Sequence, residues 1–428
     1  RFSKLFVVKK KINLPFLSFK KMASIRKSNS LYVDTNSFIT SPSLNSPPLY
    51  SHSLTSSITP LISYKFSILT PWLTLFLIFI PLGYIAHGNQ WSYTWVFTLN
   101  FLAIIPLAVL FEFAINDISL RFGRTIGDLL NATFGNTVEI IISITALKDG
   151  KIRIAQASIL GSIILNLLLL LGINFLKGGF SSKTQKFNHI AAQTNSCLMA
   201  LACIALIIPA AFVSSVDMDF NKEEHNGKLL RLSYGTAIVL LIIYILYLLF
   251  QLKTHSHLFQ REQEDKEPQL SLVLSILLLA TVTVAVAFSE YLVGSIEGVV
   301  NAYSLSETFI GLIILPIVNK SAELLNTLNS VIEGETDLDY TINLAAGSSM
   351  HIAFFVSPLL VILGWITGQQ MTLFFQMFET IILFISVLMT NYLVQNGESN
   401  WLKGVLFLAT YVIIAIAFFF YPDDKDLQ

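Results

Sequence analysis

Two acidic residues lie inside apolar segments of the chain and have related surroundings. Glu139 ends the segment 135–139, Gly-Asn-Thr-Val-Glu, and Glu323 ends the segment 319–323, Asn-Lys-Ser-Ala-Glu, 184 positions later. An ionised carboxylate in a hydrocarbon layer is so unfavourable that such acids are retained for function, with a partner that supplies the missing charge. A carboxylate can bind a hard cation or a proton, but not both at once. The two acids therefore predict a site that exchanges cations for protons.

Polar side chains near Glu139 could supply further ligands. Asn136 precedes it by about one helical turn, and Gln156, Ser158 and Ser162 lie in the next apolar segment. Neutral amide and hydroxyl oxygens suit calcium or another hard cation. Ser158 and Ser162 are four residues apart and share one helical face, so close helix packing explains this pair equally well. The four side chains are the predicted lining of the site in the first half of the chain.

The surroundings of Glu323 differ in charge. Lys320 precedes Glu323 by three residues on the same helical face, so the two side chains can neutralise each other. Ser348 and His351 follow in the next apolar segment. Histidine changes its charge near physiological pH and could carry the proton, or the ring could be a packing residue. The second half thus contributes Glu323, Ser348 and His351 to the predicted cation and proton site, with Lys320 modulating its charge.

The composition indicates that most of the chain lies in lipid. Of 428 residues, 54% are hydrophobic and 13% are charged, whereas a soluble domain has roughly 25% charged residues. Lys+Arg and Asp+Glu are equal at 27 each, so the net charge gives no indication of nucleic-acid binding. A helix that spans a bilayer needs about 20 mostly apolar residues. The segments that meet this requirement are 66–86, 92–115, 126–147, 154–176, 190–213, 229–253, 270–290, 305–332, 339–364, 371–394 and 401–421.

These eleven segments form a leading helix and two related groups of five. Gly127 precedes Glu139 by 12 positions, and Gly311 precedes Glu323 by 12. A Gly-Ser pair follows the first acid by 22 positions and the second acid by 24. Because five is odd, the second group must insert upside down, and inverted repeats place an ion site near the midplane. We therefore predict an all-α membrane protein with eleven transmembrane helices, one leading helix plus two inverted five-helix repeats.

The segments outside the predicted spans are polar. The first 65 residues are basic and rich in Ser, Thr, Asn and Pro, which predicts a disordered cytosolic tail. The first methionine is Met22, which leaves open whether residues 1–21 are native. The predicted organisation is a tail at 1–65, the leading helix and first repeat at 66–253, an acidic cytosolic linker at 254–268, the second repeat at 269–421 and a short tail at 422–428.

Some charged residues are expected to pair locally. Glu112, Asp117 and Asp128 flank a turn between two predicted spans that also carries Arg121 and Arg124. Oppositely charged residues three or four positions apart on a helix are neighbours, so ion pairs there need no further function.

The motifs resemble those of the vacuolar cation/proton exchangers of fungi and plants, within the calcium/cation antiporter superfamily. The resemblance rests on residues 131–139 (Asn-Ala-Thr-Phe-Gly-Asn-Thr-Val-Glu), 153–162 (Arg-Ile-Ala-Gln-Ala-Ser-Ile-Leu-Gly-Ser), 309–318 and 346–349. It implies a secondary active antiporter that moves cytosolic calcium, or a related divalent cation, into the vacuole in exchange for protons. The resemblance implies no cofactor, because calcium and protons are the cargo.

The resemblance also implies roles for individual residues. Glu139 and Glu323 would bind cation and proton alternately, with Asn136, Gln156 and Ser158 lining the path. It further implies an integral protein of the vacuolar membrane, and the basic tail together with the Lys and Arg residues of the short loops predicts a cytosolic N-terminus. Its partners would be the cation, protons and lipid, with no nucleic acid, and a homo-oligomer is left open.

The second motif departs from the family pattern. The family normally has Gly-Asn-Ala-Ala-Glu-His where this chain has Asn-Lys-Ser-Ala-Glu-Leu at 319–324. Lys320 thus stands at a ligand position and adds a positive charge about one turn from the acid. That charge disfavours a second cation, and a divalent one twice as strongly. The alternative function is therefore monovalent cation/proton exchange or impaired transport, unless Lys320 points away from the site and leaves calcium exchange intact.

Two other classes of membrane protein are not expected from the sequence. A channel usually has a filter loop or rings of charge, and the sequence contains neither. A membrane enzyme would need a nucleophile with its base, a metal triad or a phosphate loop, and no such motif is found.

Overall fold

The computed structural model describes residues 75–122, 124–181, 183–215, 222–256, 268–287, 290–333 and 338–422. The predicted N-terminal tail and most of the acidic linker lie outside the described residues. The described part is helical except for connections and one antiparallel pair of two-residue strands, β1 (Gln185–Lys186) and β2 (Glu398–Ser399). The predicted all-α class is confirmed.

In the described part of the chain, eight α-helices precede the predicted linker and nine follow it. Those before it are α1 (Phe79–Gly88), α2 (Tyr93–Ser119), α3 (Arg124–Phe134), α4 (Thr137–Lys148), α5 (Ile152–Ile164), α6 (Leu171–Ser181), α7 (His189–Ser215) and α8 (Lys222–Leu249). Those after it are α9 (Leu272–Ala287), α10 (Glu290–Tyr303), α11 (Glu307–Phe309), α12 (Leu315–Asn319), α13 (Ser321–Glu333), α14 (Leu338–His351), α15 (Ser357–Thr367), α16 (Met377–Val394) and α17 (Trp401–Phe419).

Eight helices of the described part are long and apolar enough to cross a membrane, and one bent pair, Glu307–Asn319 with Ser321–Asn329, raises the number to nine. Two predicted spans are not among them. The segment 66–86 begins outside the described residues, and the segment 126–147 consists of α3 and α4. At about 1.5 Å per residue, each of these two helices is too short to cross a hydrocarbon layer of about 30 Å. The structure confirms a helical membrane protein, and the count of eleven stays a prediction.

Each acid-bearing segment is a helix that is interrupted just before the acid. The interruption separates α3 from α4 in the first half and α12 from α13 in the second, where the axis bends by 54°. Asn136 and Lys320 precede the new half-helices with nearly the same backbone angles, φ −103° and ψ 22° against φ −100° and ψ 14°. Glu139 and Glu323 therefore both lie in the first turn of a half-helix. The unpaired N–H groups and the dipole at that end favour a negative charge.

Two helices lie at the centre of the described structure. The buried share of the most apolar stretch is 83% in the span Ile152–Phe180 and 61% in the span Thr341–Thr367. In the other long spans of the described part, this share is 20–50%. Each contains a π-helical segment, Leu165–Leu170 in the first and Ile352–Val356 in the second. Such segments are frequent at functional sites. The predicted ligands that follow each acid along the sequence belong to these two central helices.

The two halves of the chain approach each other closely through glycines. A Cβ atom on Gly161 would lie 2.0 Å from the carbonyl oxygen of Leu312, and one on Gly311 would lie 2.7 Å from the Cβ of Ala157. Only glycine fits at Gly161, so α5 packs directly on the π-helical segment Ile310–Ile314 of the other half. This close packing holds side chains from the two halves within contact distance.

Candidate cation site

The ammonium group of Lys320 lies among the polar residues predicted for the site. Its Nζ is 3.1 Å from Glu323 Oε1 and 3.8 Å from Glu139 Oε2, so the ammonium group lies between the two acids. Nζ also donates to Ser348 Oγ at 2.8 Å and to Asn136 Oδ1. The three N–H donors of the ammonium group thus have three acceptors, and the side chain is only 2% exposed. The alternative in which Lys320 points away from the site is wrong.

Both carboxylates retain oxygens without hydrogen bonds. Glu139 is 1% exposed, and neither of its carboxylate oxygens has a hydrogen-bond partner among the described residues. The same holds for Glu323 Oε2. Buried polar atoms almost always have partners, so these three oxygens need an explanation. They are available to a cation or to protons.

Ser348 and Asn136 connect the two halves at this point. Ser348 Oγ lies 3.1 Å from Asn136 Oδ1 and 3.3 Å from Glu323 Oε1. Asn136 Nδ2 donates to the backbone carbonyl of Ser348 at 3.5 Å. The structure therefore brings together one predicted ligand from each half, and both offer neutral oxygens of the kind that hard cations bind.

Ser158 and Ser162 lie on the first-half side of the site. Asn319 Nδ2 donates to Ser158 Oγ at 3.2 Å, which joins the two halves a second time. Ser162 is completely buried, and its hydroxyl lies close enough to Glu139 to interact with the carboxyl group. Asn319 was not among the predicted ligands, although its own Oδ1 is buried and unbonded. Its place next to Lys320 in the second motif is the signal that could have identified it.

Gln156 belongs to a different polar cluster. Its Oε1 accepts from Arg153 Nη1 at 3.1 Å, and its Nε2 donates to the backbone carbonyl of Thr372 at 2.9 Å. Arg153 also forms an ion pair of 2.7 Å with Glu379, a fully buried acid for which the sequence indicates no partner. Both ends of the Gln156 amide are therefore engaged away from the acids, and no described contact joins it to either site carboxylate.

His351 lies about one turn beyond Ser348 on α14 and packs among aromatic rings. Its Nδ1 is 2.9 Å from the hydroxyl of Tyr244, and its ring centroid is 5.5 Å from that of Tyr244 and 5.0 Å from that of Phe355. His351 Nε2 is buried and has no hydrogen-bond partner within the described residues. The ring thus has a packing environment, and Nε2 is the nitrogen without a described partner.

The arrangement can hold a cation through oxygen atoms. The part of the chain that the structure describes includes no group of three or more His, Cys, Asp or Glu side chains placed to hold a metal ion. A cation here would therefore combine Glu139 and Glu323 with the neutral oxygens of Asn136 and Ser348. It would also meet the ammonium of Lys320, which already occupies the point between the two acids.

Comparisons with known proteins extend over both halves of the chain. The family model described as sodium/calcium exchanger protein matches residues 92–253 and 273–420. The vacuolar calcium ion transporter of Schizosaccharomyces pombe is 44% identical over 363 residues, which cover 84% of this chain and 87% of that protein. The vacuolar cation/proton exchanger 2 of Oryza sativa is 37% identical over 394 residues, which cover 89% of this chain and 87% of that protein.

A solved structure is also similar to this fold. The crystal structure of the Ca2+/H+ antiporter protein YfkE has a TM-score of 0.68 and 33% identity, with 81% of this chain and all of that chain covered. The matched blocks of the family include both acids, one in each block. The chain therefore belongs to the sodium/calcium exchanger protein family, which makes it a transporter and not an enzyme.

Proposed function

We propose that the chain is a secondary active antiporter that exchanges calcium for protons by alternating access. The observation that carries the proposal is the position of Glu139 and Glu323. Both lie in the first turn of a half-helix, and the buried ammonium group of Lys320 lies between them. Their three unbonded oxygens can take up a hard cation or protons. Because a metal-bound carboxylate must be deprotonated, uptake of one ion releases the other.

The names of the relatives support the choice of ion and of compartment. The Schizosaccharomyces pombe protein is named a vacuolar calcium ion transporter, the Oryza sativa protein a vacuolar cation/proton exchanger, and YfkE a Ca2+/H+ antiporter. We infer that this chain moves cytosolic calcium across the vacuolar membrane while protons move the opposite way, with its N-terminus on the cytosolic side. The cargo is calcium and protons, and the exchange needs no cofactor.

We propose that this transport is carried out by eleven spans, a leading helix and two inverted repeats of five. In the part of the chain that the structure describes, nine helices could span a membrane when the bent pair is counted as one. A leading helix that ends with α1, and the α3–α4 pair taken as one interrupted span, would complete the number. The two blocks in which the family matches support a leading helix and first repeat at 66–253 and a second repeat at 269–421, joined by an acidic linker at 254–268. Residues 1–65 and 422–428 would then be tails outside the membrane.

We further propose distinct roles for the polar residues around the acids. Asn136 and Ser348 act as cation ligands, because each has an oxygen next to the ammonium group. Ser158 and Ser162 line the path on the side of Glu139. His351 exchanges protons through Nε2. Gln156 lines the cation path next to Arg153, without being a direct ligand of the cation.

A second candidate function is the exchange of a monovalent cation for protons. The observation that favours it is Lys320, whose ammonium group lies where a transported cation would bind. Two ionised carboxylates and one ammonium group have a net charge of −1, which one monovalent cation neutralises. Calcium would need the lysine to withdraw first. If the ammonium group of Lys320 excludes every transported cation, transport would be impaired.

Transport by purified protein in lipid vesicles separates these functions. With an imposed proton gradient, we expect uptake of calcium-45 together with proton efflux, and no uptake after a protonophore has collapsed the gradient. Parallel vesicles receive labelled sodium or a potassium analogue. Uptake of a monovalent ion without calcium would replace the first function by the second, and uptake of neither ion would contradict both exchange functions and indicate impaired transport.

A further inference from the structure

A third acid, Glu112, lies beside the site and is not paired as the sequence suggests. Of the acids expected to pair locally, Asp117 does so, with Arg121 Nη2 at 3.2 Å. Glu112 instead accepts a hydrogen bond at Oε1 from Asn326 Nδ2, at 2.9 Å. Because Asn326 follows Glu323 by three residues on α13, the two lie on one helical face. Glu112 of α2 therefore contacts the half-helix on the face that carries Glu323.

The negative charge of Glu112 acts on the site. Its carboxyl group interacts electrostatically with both Glu323 and Lys320. The helix α2 also packs against both half-helices of the second interruption, α12 and α13. Glu112 is half-buried, so its field is less screened by water than that of an exposed acid. The lysine thus has a third carboxylate nearby, in addition to Glu139 and Glu323.

The sum of these charges matches a divalent cation only when Glu112 is included. When all three carboxylates are ionised, they and the ammonium group have a net charge of −2, which one divalent cation or two protons neutralise. Without Glu112 the net charge is −1, and a divalent cation would leave one positive charge uncompensated in a buried place. Uncompensated buried charge is strongly unfavourable.

We propose that Glu112 is a selectivity-determining residue that offsets the charge of Lys320, so that the site keeps the two negative charges needed by a divalent cation. The inference rests on the proposed exchange of calcium for protons and identifies a residue outside the two motifs. Asn326 positions the carboxylate, whereas the charge of Glu112 produces the effect.

A double-mutant cycle between Glu112 and Lys320 tests the inference in the purified full-length protein. Binding of calcium-45 at equilibrium is measured in detergent, and uptake is measured in vesicles. Glu112→Gln is expected to weaken calcium binding about tenfold or more, because the remaining net charge of −1 no longer neutralises a divalent cation. In the Lys320→Asn background the same substitution is expected to have little effect, since the double variant again has a net charge of −2. Glu112→Asp keeps the charge and is expected to bind calcium like the unaltered protein.

Two further variants separate charge from structure. Asn326→Ala removes the hydrogen bond to Glu112 but keeps the carboxylate, and is expected to change calcium binding much less than Glu112→Gln. Glu290→Gln neutralises an acid that pairs with Lys148 at 3.3 Å on an exposed surface, and is the matched control. A thermal unfolding midpoint for each variant identifies any that fail to fold; if Glu112→Gln is among them, the cycle is repeated with Glu112→Ala, which also removes the charge.

The outcomes distinguish this inference from the proposed function. If the unaltered protein exchanges calcium for protons but Glu112→Gln has the same effect in both Lys320 backgrounds, the inference fails and the function stands. If calcium binds only after Lys320→Asn, Glu112 does not offset the lysine and the inference is overturned. Absence of calcium binding from every variant would overturn both the inference and the function.

Discussion

Replacing Lys320 with asparagine should convert the site into a tighter calcium site. The substitution removes the ammonium group that lies 3.1 Å from Glu323 Oε1 and 3.8 Å from Glu139 Oε2, and it adds an amide oxygen at the same position. At an effective dielectric constant of about 20, a divalent cation about 4 Å from an ammonium group is repelled by about 8 kcal/mol. Movement of the lysine relieves most of this repulsion, so we expect a smaller observable gain. A gain of only about 1.4 kcal/mol would still increase calcium affinity tenfold.

The assay for this prediction is the initial rate of calcium-45 uptake into proton-loaded vesicles as a function of calcium concentration. We expect Lys320→Asn to lower the KM for calcium at least about tenfold, whereas Lys320→Arg, which keeps the charge, should not lower it. Without the ammonium group the two acids repel each other, so the variant should unfold at a lower temperature in chelator and regain stability when calcium is added. An unchanged or higher KM for Lys320→Asn would refute the argument that the lysine competes with calcium.

Three further substitutions test the site and its support. Glu139→Gln should abolish exchange of whichever ion is carried, measured as coupled uptake and proton efflux; unchanged flux would contradict its assignment. Gly161→Ala places a Cβ atom against backbone and should lower the thermal unfolding midpoint through overpacking of about 1–3 kcal/mol, whereas Gly235→Ala, with open space around it, should not. Arg153→Gln leaves the buried Glu379 without its ion-pair partner, although the Gln376 N–H still donates to it, and should destabilise the protein by about 1–3 kcal/mol in denaturant titrations. The double variant with Glu379→Gln should recover much of that loss, and equal stability of the single and double variants would contradict the pairing.

The sequence predicts the membrane class and the positions of most spans, because a spanning helix depends on local apolar length. It also predicts the two acids as a pair and Lys320 as the residue that distinguishes them. Gly135 and Pro316 weaken the helix before the two acids and indicate an interruption in each segment, but the apolar residues around them still read as one span. The segment 126–147 is predicted as a single span for this reason, whereas the structure divides it into α3 and α4.

Contacts between distant residues are the part of the site that the sequence does not predict. Glu139 has no basic neighbour in its own segment, and its cation, Lys320, comes from the other half of the chain. Gln156 is predicted as a ligand from its position near Ser158, but its amide is engaged by Arg153 and Thr372. The rotation of a helix about its axis decides which of its polar side chains face the acids, and the packing of neighbouring helices sets that rotation.

The sequence by itself determined which chemistry is present: two acids in apolar segments, a lysine one turn before the second, and oxygen donors on the helices that follow. These properties depend on composition and short spacing. Only the tertiary structure decided how the charges combine. The close packing at Gly161 brings the two halves together, so that Lys320 lies between Glu139 and Glu323, and Glu112 contacts the half-helix of Glu323. Electrostatic energy depends on distance in space and on burial, and neither can be read from separation along the chain.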